Sequence, residues 1–239
     1  MFKSLSAKLS VALLFSAFIV PAHAVQVLTN GNFESGVTGW TSFITSNNAT
    51  ITDPPSPPVG TPSNEQATTR SFDVTGSGAS NALFLNVGSR SFVPNGPQEG
   101  GGVTQTFTLA ADGVATFSAN IAGWTRSTVS NLGLLSVLLD GVLMDSHDFA
   151  NASGLPATLL STLGFTTNLS AGSHTITLLA TRQFAPSSGI THQYFDNVSL
   201  DVAQTPLPAA LPMFISGLGV VGALWLRNRK KAQASLAAS

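Results

Sequence analysis

Three flat aromatic side chains, Trp40, Trp124 and Tyr194, could stack on a sugar ring, because each offers a broad apolar face with a polar group at its edge. Trp124, beside Gly123 and Arg126, is the stronger ligand candidate. The competing reading is burial, since large aromatics of a β-sandwich mostly fill its core, and Trp40 is expected to be buried. His147 lies between Asp145 and Asp148, a grouping that suggests a metal. The competing reading, a solvated turn after a hairpin, is favoured, because no His-x-x-x-His pattern or second ligand group accompanies it. His174 and His192 stand apart from it in the sequence. Asp145 and Asp148 could serve as a glycosidase pair only if the fold set them at a defined separation across a cleft. The sequence has no Gly-x-Ser-x-Gly, no phosphate loop and no cysteine, so no nucleophile motif stands out. The expectation is that the chain is not an enzyme.

The elements that would carry these residues read as strands. Short apolar alternations recur between Gly-, Ser- and Asn-rich turns, the pattern of a sandwich or barrel. Strands are expected over 82–87, 103–109, 114–121, 134–139, 142–144, 174–182 and 194–202. Val103, Phe107 and Leu109 should share one face, as should Phe117, Ala119 and Ile121, and again Val198, Leu200 and Val202. Asp140-Gly141 between two apolar runs is a hairpin signal, because a type I′ turn needs positive φ at both central positions. Residues 107–113 and 165–172 look like two similar hairpins. The Pro-rich run 53–58 and the Gly- and Pro-rich run 91–102 read as surface loops.

The two ends speak of export. Lys3 and Lys8 precede an apolar run from Leu9 to Val20, and Ala22-His23-Ala24 is a small-x-small cleavage site, the organisation of a signal peptide over 1–24. Near the other end, 207–226 is free of charge, and Arg227, Arg229, Lys230 and Lys231 follow it. Such a stretch is long enough to cross a bilayer as a helix, with a basic stop on the cytoplasmic side and a cytoplasmic tail over 232–239. Between the two segments lie four arginines and all eleven acids, which leaves −7 and no lysine. An acidic domain of that kind is not expected to bind nucleic acid, whose phosphates need cations. With no cysteine, it must hold together without disulfides. Residues 25–204 suffice for one domain with a sizeable core.

Two resemblances add to this reading. Pro206, Leu207, Pro208, Ala209, Ala210, Leu211 and Pro212, with Phe214-Ile215-Ser216-Gly217-Leu218-Gly219 and the basic end, resemble the PEP-CTERM sorting signal of Gram-negative bacteria in its VPLPAA-type version. Leu207 stands where the Pro-Glu-Pro version has its acid. The resemblance covers 205–231. It implies processing by an exosortase after signal peptidase has acted, membrane anchoring through the C-terminal helix before processing, and then display at the cell surface or release, often in bacteria that make exopolysaccharide. An ordinary single-span anchor is the alternative.

The body resembles the galactose-binding-like jelly rolls of carbohydrate-binding modules. The matching motifs are Asn30-Gly31-Asn32-Phe33-Glu34 with Gly39-Trp40, and Tyr194-Phe195-Asp196-Asn197-Val198-Ser199-Leu200. The resemblance implies an all-β jelly-roll sandwich in which a first-strand glutamate and a last-strand aspartate share a structural Ca²⁺; here these are Glu34 and Asp196. The resulting expectation is an exported surface or matrix protein that associates with polysaccharide, with Trp124 and Arg126 at the ligand. The alternatives are a structural matrix component without a discrete ligand and, further off, a divergent glycan hydrolase.

Overall fold

The computed structural model describes residues 24–45, 67–88, 98–126, 131–149, 157–183 and 191–204. They belong to one compact unit spanning 23–205. The expected signal peptide up to residue 23, the expected sorting motif, the apolar stretch 207–226, the basic residues after it, the tail 232–239 and the Pro-rich run 53–58 lie outside the described residues. Among the described residues no helix is long and apolar enough to cross a membrane.

The fold is a β-sandwich. Its strands are β1 Ala24–Gln26, β2 Thr41–Ile44, β3 Thr68–Phe72, β4 Ser80–Leu85, β5 Gln98–Leu109, β6 Gly113–Thr125, β7 Leu134–Leu139, β8 Val142–Asp148, β9 Ala157–Leu169, β10 Gly172–Gln183 and β11 Thr191–Gln204. One sheet has the order β3-β4-β11-β6-β9, with β1 also pairing β11; the other has the order β2-β5-β10-β7-β8. All these pairings are antiparallel.

Period-two alternation decides which side chains meet between the sheets. Phe117, Ala119 and Ile121 of β6 face inward as expected, with Leu83 and Leu85 of β4 and Phe195, Val198, Leu200 and Val202 of β11. They meet Val103, Phe107 and Leu109 of β5, Ile176, Leu178 and Ala180 of β10, and Leu135, Val137 and Leu139 of β7. Burying each large member is worth about 1.5–3 kcal/mol, which is how a chain without disulfides holds two sheets together. The Asp140-Gly141 hairpin is also as expected, with φ of 51° and 79°.

The two look-alike segments are not hairpins. β5 pairs with β10, and β6 pairs with β9. The turns after Leu109 and Leu169 therefore carry the chain from one sheet to the other. The two arches lie side by side, with Gly172 opposite Leu109 and Gly113 opposite Leu169. The Ala171 amide donates to Asp112 Oδ1 at 2.8 Å and ties one arch to the other.

The run 91–102 is also not wholly a loop. Gln98–Gly102 is strand, lying between β2 and β10. Glycine serves there as a close-approach residue: a Cβ on Gly102 would run into the Leu178 carbonyl and come within 2.9 Å of the Phe43 ring.

Candidate functional site

Strand β11 positions the candidate residues. Gln193 and Phe195 point into the sandwich, so His192, Tyr194 and Asp196 point outward. A register shift between Asp196 and Ser199 marks a bulge, and Asn197 takes φ 51° within it. The extra residue restores Val198, Leu200 and Val202 to the core side.

At the bulge the two sequence motifs meet. The Val198 amide donates to the Gly31 carbonyl at 2.9 Å. The segment 29–40 is not a strand; it is a chain of turns around Asn30. The Asn30 side chain donates to the Gly36 and Thr38 carbonyls at 2.8 and 2.9 Å and accepts from the Ser35 amide at 3.2 Å. Phe33 is fully buried beneath it, and Trp40, buried as expected, donates its indole N–H to the Asn30 carbonyl at 3.2 Å. Gln105, reaching from β5, accepts from the Thr29 amide at 2.7 Å and donates to the Thr29 and Gly39 carbonyls at 3.0 Å each. Glu34 therefore sits on a turn between β1 and β2 and not on the first strand.

This turn brings Glu34 to Asp196. Glu34 accepts from the Asn81 amide at 3.1 Å and from the Asn81 side chain at 3.0 Å. Asp196 is buried and accepts from the Ser80 hydroxyl at 2.6 Å and the Asn197 amide at 2.7 Å. Burial pushes the Asp196 carboxyl above its usual range and the negative Glu34 adds to this, while the bonds from Ser80 and Asn197 oppose the rise. Two acids near enough for the charge of one to act on the other, one of them desolvated, make a place where a cation would be stabilised. The donors are all oxygen, the set that hard divalent cations take. Among the described residues no third acidic group or histidine completes a metal cluster, so a calcium ion here would draw its other ligands from neutral oxygens.

Further along the same outer face runs an aromatic row. Trp124 of β6 lies directly opposite His192 of β11, and Ala122 opposite Tyr194. The Trp124 and His192 rings stack at 4.8 Å and 21°. Phe84 meets His192 edge-on at 4.8 Å, and Phe72 stacks on Tyr194 at 3.9 Å. The Arg70 guanidinium lies 3.7 Å over the Phe84 ring, in range for a cation–π contact. Tyr194 and Phe84 are buried, so Tyr194 is the floor of this cluster and not an open platform. Trp124, His192 and Phe72 are half-buried, and Arg70 and Arg126 are exposed. Burial, with the positive charges of Arg70 and Arg126, pushes His192 down to about 4 and keeps it neutral at ordinary pH. The sequence pointed to Trp124 and Arg126 and treated His192 as isolated; the alternation His192-x-Tyr194-x-Asp196 on one strand was the signal that could have placed it.

The other histidines among the described residues, His147 and His174, fall elsewhere. His147 lies on β8 and not in a turn. It meets Ser161 Oγ at 3.3 Å and the Phe149 ring at 4.5 Å. Asp145 accepts from the Gly164 amide of β9 at 2.8 Å. His174 is buried, with Nδ1 2.7 Å from Asp140 Oδ2 and Nε2 2.9 Å from the Ser170 carbonyl.

No protein-family model and no curated protein matches this chain. Similar solved structures include the carbohydrate-binding module TmCBM61 in complex with beta-1,4-galactotriose, at 12% identity over 74% of this chain and 97% of that one, TM-score 0.40. A Stig cyclase, Fisc from Fischerella sp. TAU, is similar at 14% identity over 76% and 99%, TM-score 0.41. The enzymatically active domain of tailspike protein 4 of bacteriophage CBA120 is similar at 16% identity over 74% of this chain, TM-score 0.40, but this chain covers only 21% of it. Likenesses this distant decide nothing about ligand or reaction. Cyclases, an arabinofuranosidase and a tailspike enzyme are among the similar structures, so these likenesses run against the expectation that the chain is not an enzyme and assign it no reaction.

Both nitrogens of His174 face acceptors, which the imidazolium can satisfy with two N–H groups and the neutral ring with only one. The bond to Asp140 and then that to Ser170 raise its pKa above 6.5. The folded state thus holds the proton more tightly, so the stability it contributes is full below pH 6.5 and is lost as pH rises through the raised value. Thermal melts across that range should show wild type losing stability and His174→Gln changing less. An identical slope in both would remove His174 as the cause.

Proposed function

We propose that this is an exported protein whose galactose-binding-like jelly roll associates with polysaccharide at the outer face around Trp124. The observation that carries the reading is the half-buried Trp124–His192 stack with the exposed Arg126 beside it. Sugar rings carry apolar C–H faces that dry against an aromatic surface, and their hydroxyls need polar groups at its edge. The inter-sheet arches support the jelly-roll reading, since they connect the layers as a rolled-up double hairpin would. Glu34 and Asp196 are read as a structural Ca²⁺ site that fastens the turns of 29–40 to β11. The Pro206–Pro212 motif, the apolar stretch and the basic end support membrane anchoring, then exosortase processing and surface display or release.

Three outcomes follow. In affinity gels cast with glycans, wild type should be retarded by at least one polysaccharide, and Trp124→Ala should lose about tenfold in affinity while melting within a few degrees of wild type. Uniform lack of retardation would leave a structural protein without a discrete ligand. Adding Ca²⁺ to chelator-treated protein should raise its melting temperature, because a ligand of the native state stabilises it. Asp196→Asn should abolish the rise, and an unresponsive wild type would end the calcium reading. Intact mass of the protein from native cells and medium should end near 205–212. A full-length mass found only in membranes would replace sorting with ordinary anchoring.

A further inference from the structure

The exposed arginines among the described residues share a place. Among the described residues the arginines are Arg70, Arg126 and Arg182. Arg182 is buried in the sandwich, donating to the Asn131 carbonyl at 2.6 Å and the Val87 carbonyl at 3.2 Å. Arg70 and Arg126, the two exposed ones, both belong to the aromatic face. Arg70 lies on the Phe84 ring, which itself touches His192, and Arg126 follows Trp124 by two residues. The positive charge of both reaches His192. The acidic pair, Glu34 and Asp196, stands at the other end of the face, where Asp196 lies opposite Asn120, two outward positions from the Trp124–His192 pair.

In a segment of net charge −7, the placement of Arg70 and Arg126, the two exposed arginines among the described residues, at one aromatic patch is a local reversal of sign. Such a patch attracts an anion that the rest of the surface repels. Val74 packs with Ala82, Ala122 and Tyr194 at the middle of the face, and Trp124, His192 and the two arginines remain open to a ligand.

We propose that the Trp124–His192 patch, flanked by Arg70 and Arg126, binds an acidic polysaccharide, with a sugar ring on the aromatic pair and its carboxylate between the guanidinia. This rests on the polysaccharide reading above and names the class of glycan. Guanidinium suits a carboxylate because its planar donors match the two oxygens. The neutral His192 adds a polar edge without competing for the anion.

The test uses the full chain in affinity gels containing polygalacturonate or alginate, each beside its methyl-esterified, uncharged form. The expected result is retardation by the acidic forms, weakening as salt rises, and little by the esters. Arg126→Gln and Arg70→Gln should each cost about fivefold in affinity for the acidic forms. Thr106→Gln, on the opposite sheet, should change nothing. Melting curves of each variant show that it is folded. Equal retardation by acidic and esterified forms would overturn the acidic assignment and leave polysaccharide binding standing. No retardation by either, or by any neutral glycan, would overturn both.

Discussion

The bulge in β11 is the constraint on which the rest depends. β11 pairs with β1, β4 and β6, so it carries its own sheet. A strand of unbroken alternation that turned Gln193 and Phe195 inward would turn Val198, Leu200 and Val202 outward. One extra residue at Asp196–Asn197 removes that conflict. The cost is a positive φ at Asn197, a residue whose short side chain tolerates it. The side chain also finds a partner, donating to Asn120 Oδ1 at 3.2 Å. The same kink frees the Val198 amide for Gly31, seats the turns of 29–40 against the strand and brings Glu34 within reach of Asp196.

With that geometry set, the outer face of the sheet divides by charge. One end holds two acids, one of them desolvated; the other holds two guanidinia around stacked rings. The middle is apolar and buried, built from Ala82, Phe84, Ala122 and Tyr194. Burial sharpens the acidic end at Asp196, because charges interact more strongly where water is excluded, while the guanidinia of the other end remain exposed. The acidic end suits a cation and the basic end an anion, on one rigid sheet, so the fold can present two chemistries without a mobile loop between them.

How much of this could be read in the residues depends on the range of the interaction. Alternation showed the inward faces of β5, β6 and the part of β11 after its bulge, because those side chains answer to a period that is local. Asp140-Gly141 was legible for the same reason. The arches at 110–112 and 170–171 were not: a small-residue turn looks alike whether the next strand joins the same sheet or the facing one, and pairing of β5 with β10 is a non-local matter. Gly100–Gly102 read as loop because glycine loosens a chain in isolation, yet here it admits the Leu178 carbonyl. Glu34, Asp196, Trp124 and Arg126 were visible as candidates. Arg70, Phe72, Phe84 and His192 were not, since they become neighbours only when β3, β4, β11 and β6 lie side by side.

The most direct test of this face is an NMR titration of the protein with an acidic oligosaccharide. The Trp124 indole, the His192 ring and the Arg70 and Arg126 side-chain signals should move together and saturate at one affinity. Shifts confined to the opposite sheet, around Phe43, Leu138 and Leu179, or the absence of any shift at Trp124, would contradict it.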